Sequence, residues 1–234
     1  MTAESVDRVR DVVQEVVAHL FALVAEVHAA ALLPRGDGPA GGPPVLGDDV
    51  RELLRRPGQL AVGLGLVVAP HPQRETPQRM QWWQIEPDGS ALRALEPDLR
   101  PSSLAYYDYA ATPWFQVPRR TGRRHVVGPY VDVHGTGQYL LTLTEPVWLD
   151  GAFVGVAGAD VPVSAFETHL FQRLGRSAAF VLVNDEDRVV LSTSPRWLVG
   201  GLVPPTALHG RPERLVPGTP WRLLVLDEPT ALRA

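Results

Sequence analysis

From residue 6 onward, apolar side chains recur at Val6, Val9, Val13, Val16, Leu20, Leu23 and Val27, in steps that alternate between three and four. That period follows one face of an α-helix and predicts a helix over 6–33, with Thr2 or Ser5 at its start and Pro34 at its end. At 1.5 Å per residue such a helix runs for roughly 45 Å, more than one small module needs. Its stripe fits two arrangements: an amphipathic helix lying on a sheet, or a heptad seam between two copies of the chain.

Past a Gly/Pro-rich stretch at 35–47, the pattern predicts a short helix over 48–56, ended by Pro57-Gly58. Runs at 60–69 and 79–86 read as strands, the second closed by a Pro87-Asp88-Gly89 turn. Residues 102–115 are aromatic and irregular, with two short helical pieces broken by Pro113. A strand is expected over 123–132. Two long apolar runs, 138–149 and 152–161, flank Asp150-Gly151 and predict a hairpin. After a helix over 164–174, shorter strands follow at 178–184, 189–193 and 221–226. The order predicts an α+β chain in three parts: a long N-terminal helix over 1–35, a larger mixed module over 48–174 and a smaller one over 175–234, dividing near 174–177.

Composition narrows the chemistry. The 234 residues carry a net charge of −4 and a pI near 6.0, which argues against nucleic acid as a partner. All 22 basic residues are arginine, so neither a Schiff-base lysine nor a phosphate-loop lysine exists. With no cysteine there is no disulfide, thiol nucleophile or thiolate metal site, and the seven histidines form no metal-binding motif. No cofactor is expected. The N-terminus lacks the basic start and apolar core of a secretory signal, and no run of about 18 unbroken apolar residues predicts a membrane span. On that basis the chain is expected to be cytoplasmic.

Four segments in order carry a further signal: Tyr106-Tyr107-Asp108-Tyr109-Ala110-Ala111-Thr112-Pro113-Trp114-Phe115, Gly128-Pro129-Tyr130-Val131-Asp132, Thr142-Leu143-Thr144-Glu145-Pro146-Val147 and Gly155-Val156-Ala157-Gly158-Ala159-Asp160. Together they resemble the double Cache family of sensor domains. The resemblance implies a long helix followed by two PAS-like modules with antiparallel sheets, a ligand site in the first module, and no enzymatic activity. In amino-acid- and amine-binding members it implies ligand contacts from Tyr107, from Trp114 seven residues later, from Phe115, from Tyr130 and Asp132, and from Asp160. The arginine that grips a ligand carboxylate in that family is replaced by Thr112, so an ammonium group is expected to be recognised more than a carboxylate. Such domains are usually parts of membrane receptors; without a predicted anchor, this one would pass its signal to a separate regulator protein.

The residues support that chemistry on their own terms. Two carboxylates near aromatic faces suit a small cation, because an ammonium donates charge-assisted hydrogen bonds and is attracted to π-faces. Two aspartates alone would repel, and one would keep a proton. The alternative for each residue is structural: Tyr and Trp as core, Asp132 capping a turn before His134-Gly135, Asp160 capping the helix near Pro162. Trp82 and Trp83 are adjacent on a strand and must face opposite ways, so one is expected at the site. Arg119, Arg120, Arg123 and Arg124 flank Thr121-Gly122 and read either as a basic hairpin tip or as the source of a replacement carboxylate anchor. Two other functions compete with sensing: an enzyme using the paired aspartates as acid and base, and an adaptor acting through the N-terminal helix.

Overall fold

The computed structural model describes residues 3–33, 46–70, 79–86, 88–89, 91–133, 137–175, 179–208, 210 and 212–226. Thr2, Pro34, most of the 35–47 stretch, Pro87, His134 and Ala178 lie outside them. The chain forms two compact units, one of Met1–His19, Gly128–Tyr130 and Val163–Ala234, the other of Leu20–Val127 and Val131–Pro162.

Helix α1 runs Ala3–Leu32. All seven heptad residues are buried in the single chain, and so are Val17, Phe21, Val24 and Ala31. A stripe that wide is the mark of a core helix, since a two-stranded seam needs only two positions in seven. The expectation of a dimer seam on this stripe is therefore corrected: its side chains are already covered by the chain itself. Over Ser5–Leu32 the helix is long and apolar enough, by composition, to cross a membrane. The sequence criterion missed this because His19, Glu26 and His28 interrupt the apolar run.

The larger unit is built on a six-stranded antiparallel sheet of β1 (Gly63–Val68), β2 (Arg79–Ile85), β3 (Leu92–Ala94), β4 (His125–Val131), β5 (Tyr139–Leu149) and β6 (Ala152–Pro162), in the order β3-β2-β1-β6-β5-β4. The central strand β1 is buried along its whole length. On one face lie the C-terminal part of α1 and helix α2 (Gly47–Leu54). His28 Nδ1 of α1 is 2.6 Å from Glu145 Oε1 of β5, and the Leu46 N–H donates to Gln81 Oε1 over 3.0 Å. Against the other face pack a 3₁₀ turn (Tyr109–Ala111) and helix α3 (Pro113–Thr121), where the Thr144 hydroxyl donates to the Trp114 carbonyl over 2.7 Å.

Two helical pieces do meet at Pro113, the 3₁₀ turn ending at Ala111 and α3 starting at Pro113, but α3 runs past the expected limit of 115 to Thr121. Pro113 sits at its first turn, where its missing N–H costs nothing. Arg119 and Arg120 then occupy the last turn of α3, and Gly122 ends it in the left-handed conformation at φ 66°. The basic cluster is thus a helix C-terminus, a favourable place for cations, and not a hairpin tip. Arg124 lies over the Phe21 ring at 4.5 Å.

The other unit holds α4 (Val163–Leu174), α5 (Pro205–Leu208) and a four-stranded sheet of β7 (Phe180–Val183), β8 (Val189–Ser192), β9 (Glu213–Leu215) and β10 (Arg222–Val225), ordered β8-β7-β10-β9. Its core includes Phe166 and Trp221, edge to face with ring centroids 5.6 Å apart. Helix α4 groups with these strands, so the division falls at Val163 and not at the expected 174–177.

Candidate functional site

Strand register assembles the site on the sheet face under α3. Gly63 pairs with Gln84 on one side and Asp160 on the other, and Asp160 pairs with Thr142. The next row on the same face is Trp82, Gly65, Gly158 and Thr144. Three glycines side by side remove the side chains that would fill this face, and the Trp82 indole lies in the trough they leave. A Cβ on Gly63 would sit 2.8 Å from Trp82 Nε1, and one on Gly158 would sit 3.2 Å from the far edge of the same indole.

Trp82 is held there by a hydrogen bond. Its Nε1–H donates to Asp160 Oδ2 over 3.1 Å, while the Thr142 hydroxyl donates to Asp160 Oδ1 over 2.6 Å. Both carboxylate oxygens are thus occupied, and the expectation that Asp160 caps the following helix is corrected. Burial raises the Asp160 pKa to about 7; the charge of Asp132 adds to the rise, while the hydrogen bonds from Thr142 and Trp82, and the nearby Gln84 amide, oppose it. Asp132 follows the end of β4, where its N–H donates to the Gln138 carbonyl and its own carbonyl accepts from Gly137. His134-Gly135, before which it was expected to cap a turn, lie outside the described residues.

Tyr107 joins the two acids. Burial, then the charges of Asp132 and Asp160, raise its pKa, and the Trp114 indole, which can only donate, partly offsets them. Four of the expected site residues, Tyr107, Trp114, Asp132 and Asp160, are therefore brought together, and Trp82 with them. The adjacent Trp83 is corrected out of the site: it faces α2, where a Cβ on Gly47 would lie 3.2 Å from its ring. Phe115 is fully buried and packs edge to face on Tyr109 and Phe153, so it acts as wall and core. Thr112 donates its hydroxyl to the Tyr109 carbonyl over 2.6 Å, a local bond that gives no carboxylate anchor. Tyr130 falls in the Gly128–Tyr130 stretch that groups with the other unit.

Sequence reasoning missed three side chains of this face. Thr142 hydrogen-bonds Asp160 from one side, and the Gln84 amide lies near it on the other. Tyr109 is fully buried, stacks on Trp114 at 6.3 Å and donates to the Val68 carbonyl over 2.6 Å, and its pKa is pushed up to about 12, chiefly by burial. The signal for Thr142 was present: Thr142 and Thr144 alternate with leucines, which marks one polar face on an otherwise apolar strand.

Helix, six-stranded sheet and second smaller sheet make up the double Cache fold of chemoreceptor sensor domains. The ligand-binding domain of the Pseudomonas fluorescens chemoreceptor CtaA, solved with L-valine, superposes with a TM-score of 0.61 over 96 % of this chain and 95 % of its own, at 15 % identity. The ligand-binding domain of the Pseudomonas aeruginosa PAO1 amino acid chemoreceptor PctC, solved with GABA, gives 0.56 over 92 % and 94 %, at 20 % identity. In sequence, 87 residues are 31 % identical to the methyl-accepting chemotaxis protein TlpQ of Pseudomonas aeruginosa, covering 36 % of this chain and 12 % of that protein. No family model matches the sequence.

Proposed function

We propose that this chain is a ligand-binding sensor domain that takes a small organic cation at the Asp132–Asp160 site and passes the bound state on to a separate regulator protein. The carrying observation is Asp160: a fully buried carboxyl held up near neutrality, beside a second carboxylate and under indole and phenol rings. A bound ammonium relieves the repulsion between the acids and brings Asp160 into its ionised form. The aromatic walls add roughly 0.5 to 2 kcal/mol each for a desolvated cation. The GABA and L-valine of the related domains both carry an ammonium group. Here Thr112, with its hydroxyl committed to Tyr109, favours amines over α-amino acids.

Binding of this kind changes populations only by its differential affinity for two states. The groups that would order around the ligand are Tyr107, upstream of α3, and Trp114 in its first turn. Titration calorimetry against a panel of small amines and α-amino acids tests the reading directly. Amines are expected to bind the wild-type chain, and Asp160→Asn and Asp132→Asn are each expected to lose roughly tenfold or more in affinity. Equal affinity in both variants would remove the site assignment. The acid–base enzyme reading has a separate readout, conversion of a bound amine followed by mass spectrometry. No turnover is expected.

A further inference from the structure

Gln84 is 1 % exposed, and neither atom of its carboxamide has a hydrogen-bond partner among the described residues. A buried amide without partners is costly and rare in a native fold. The indole nitrogens of Trp83 and Trp221 are also unpaired among the described residues, but Trp83 lies on the face covered by α1 and α2 and Trp221 in the core of the other unit. Gln84 alone of the three lies in the row of Asp160. The two residues flank Gly63, which contributes no side chain, and their backbones stand two strand spacings apart, roughly 10 Å. The Gln84 amide is near enough to favour the ionised form of Asp160 weakly, without the alignment of a hydrogen bond.

We infer that Gln84 is a specificity-determining ligand contact: its carboxamide reads a neutral hydrogen-bonding group that the ligand carries a few atoms from its cationic centre. This rests on the cation reading of Asp160 and narrows it. A carboxamide offers two donors and one acceptor, so it pairs best with a group that both donates and accepts, such as an amide or a hydroxyl. A simple alkylammonium satisfies Asp160 and leaves Gln84 unpaired. An amide-bearing amine of similar length satisfies both, and a site with an unmet buried polar group discriminates strongly against the analogue that lacks its partner.

The test compares propylamine, ethanolamine and β-alaninamide by calorimetry at pH 7, on the full chain and its Gln84→Met, Gln84→Leu and Asp160→Asn variants. β-Alaninamide is expected to bind the wild-type chain roughly tenfold more tightly than propylamine. Gln84→Met and Gln84→Leu are expected to erase that difference while propylamine affinity persists, and Asp160→Asn to weaken all three. Without ligand, Gln84→Met is expected to melt no lower than wild type, since it keeps the length and removes two unpaired polar atoms. If the preference for β-alaninamide survives in both Gln84 variants, or never exists, the amide serves only buried water and the inference falls while the cation site stands. A lower melting temperature in both Gln84 variants assigns the amide a structural role and also overturns it. Absence of binding by all three probes sinks the cation reading together with it.

Discussion

The Trp82 indole N–H reaches Asp160 Oδ2 across the backbone of Gly63, at 3.1 Å, from two strands away. One bond therefore does two things: it lays a large aromatic ring along the floor of the site, and it gives a buried carboxylate a donor it cannot obtain from water. The neighbouring Trp83 has the same chemistry in sequence and the opposite fate, with its N–H unpaired among the described residues on the face covered by α1 and α2.

That contrast makes a paired prediction. Trp82→Phe keeps a ring on the glycine floor but removes the donor to Asp160, so the carboxyl holds its proton more firmly and its pKa rises further above neutrality. Amine affinity at pH 7 should fall roughly tenfold and recover partly at higher pH. Trp83→Phe removes an N–H that has no partner among the described residues and should leave amine affinity unchanged, with stability within about 1 kcal/mol of wild type. Calorimetry at two pH values and a melting curve check both. Equal effects of the two substitutions would mean that the indole–carboxylate bond does not shape the site.

Much of this arrangement could be read from the chain before its fold was known. The β5–β6 hairpin was legible because two long apolar runs bracket Asp150-Gly151, and α1 because its stripe repeats through about six turns. The acids and aromatics of the site were legible as an ordered set. Strand alternation states that Trp82 and Trp83 face opposite ways but not which of them faces α3; only packing decides that. Gln84 was hidden because a polar residue on a strand normally signals a solvent-facing side, and here both faces are covered. Strands β3 and β9 have three residues each and are mostly exposed, so no apolar run announces them. The seven heptad residues alone fit a core helix and a seam equally; Val17, Phe21 and Val24, which widen the buried stripe, favour the core.

The pH dependence of stability follows from Asp160, whose pKa is about 7 in the fold against about 3.8 when exposed. Below pH 4 both states carry the proton and the group contributes no difference. Between pH 4 and 7 the unfolded chain ionises Asp160 while the fold retains the proton, so the unliganded fold loses stability as pH rises. Above pH 7 the penalty is complete, on the order of 4 kcal/mol for three pKa units. Asp160→Asn removes this dependence. Measured by urea unfolding, the variant should gain on wild type steadily from pH 4 to 7 and hold a constant lead above it. A constant difference over the whole range would contradict the buried, proton-holding carboxyl.

The glycine floor makes its own prediction. A methyl group at Gly63 would sit 2.8 Å from Trp82 Nε1 and 3.0 Å from Asp160 Oδ2, so Gly63→Ala must push both from their places. Overpacking of this kind costs about 1–3 kcal/mol, and amine affinity should fall with it. Gly122→Ala is the control: its site has open space, and the strain comes only from φ +66°, worth about 1 kcal/mol. That variant should lose comparable stability and keep its amine affinity. Urea unfolding and calorimetry on the two proteins separate damage to the site from damage to the fold, and parallel loss of affinity in both would deny the floor a specific role.

Helix α1 provides the last test. Val13 is completely buried, within the stripe that the heptad spacing had suggested for a dimer seam. Val13→Thr has nearly the same shape but places a hydroxyl in an apolar surrounding, at a cost of about 1–3 kcal/mol. If the stripe is core, that loss appears in urea unfolding and does not depend on protein concentration, while the sedimentation coefficient of the folded chain stays that of wild type. A seam between copies would behave otherwise: the destabilisation would shrink as concentration rises, and the variant would sediment as a smaller species. Concentration-independent loss is the expected result, because Val9, Val16 and Leu20 around it are covered by the same chain.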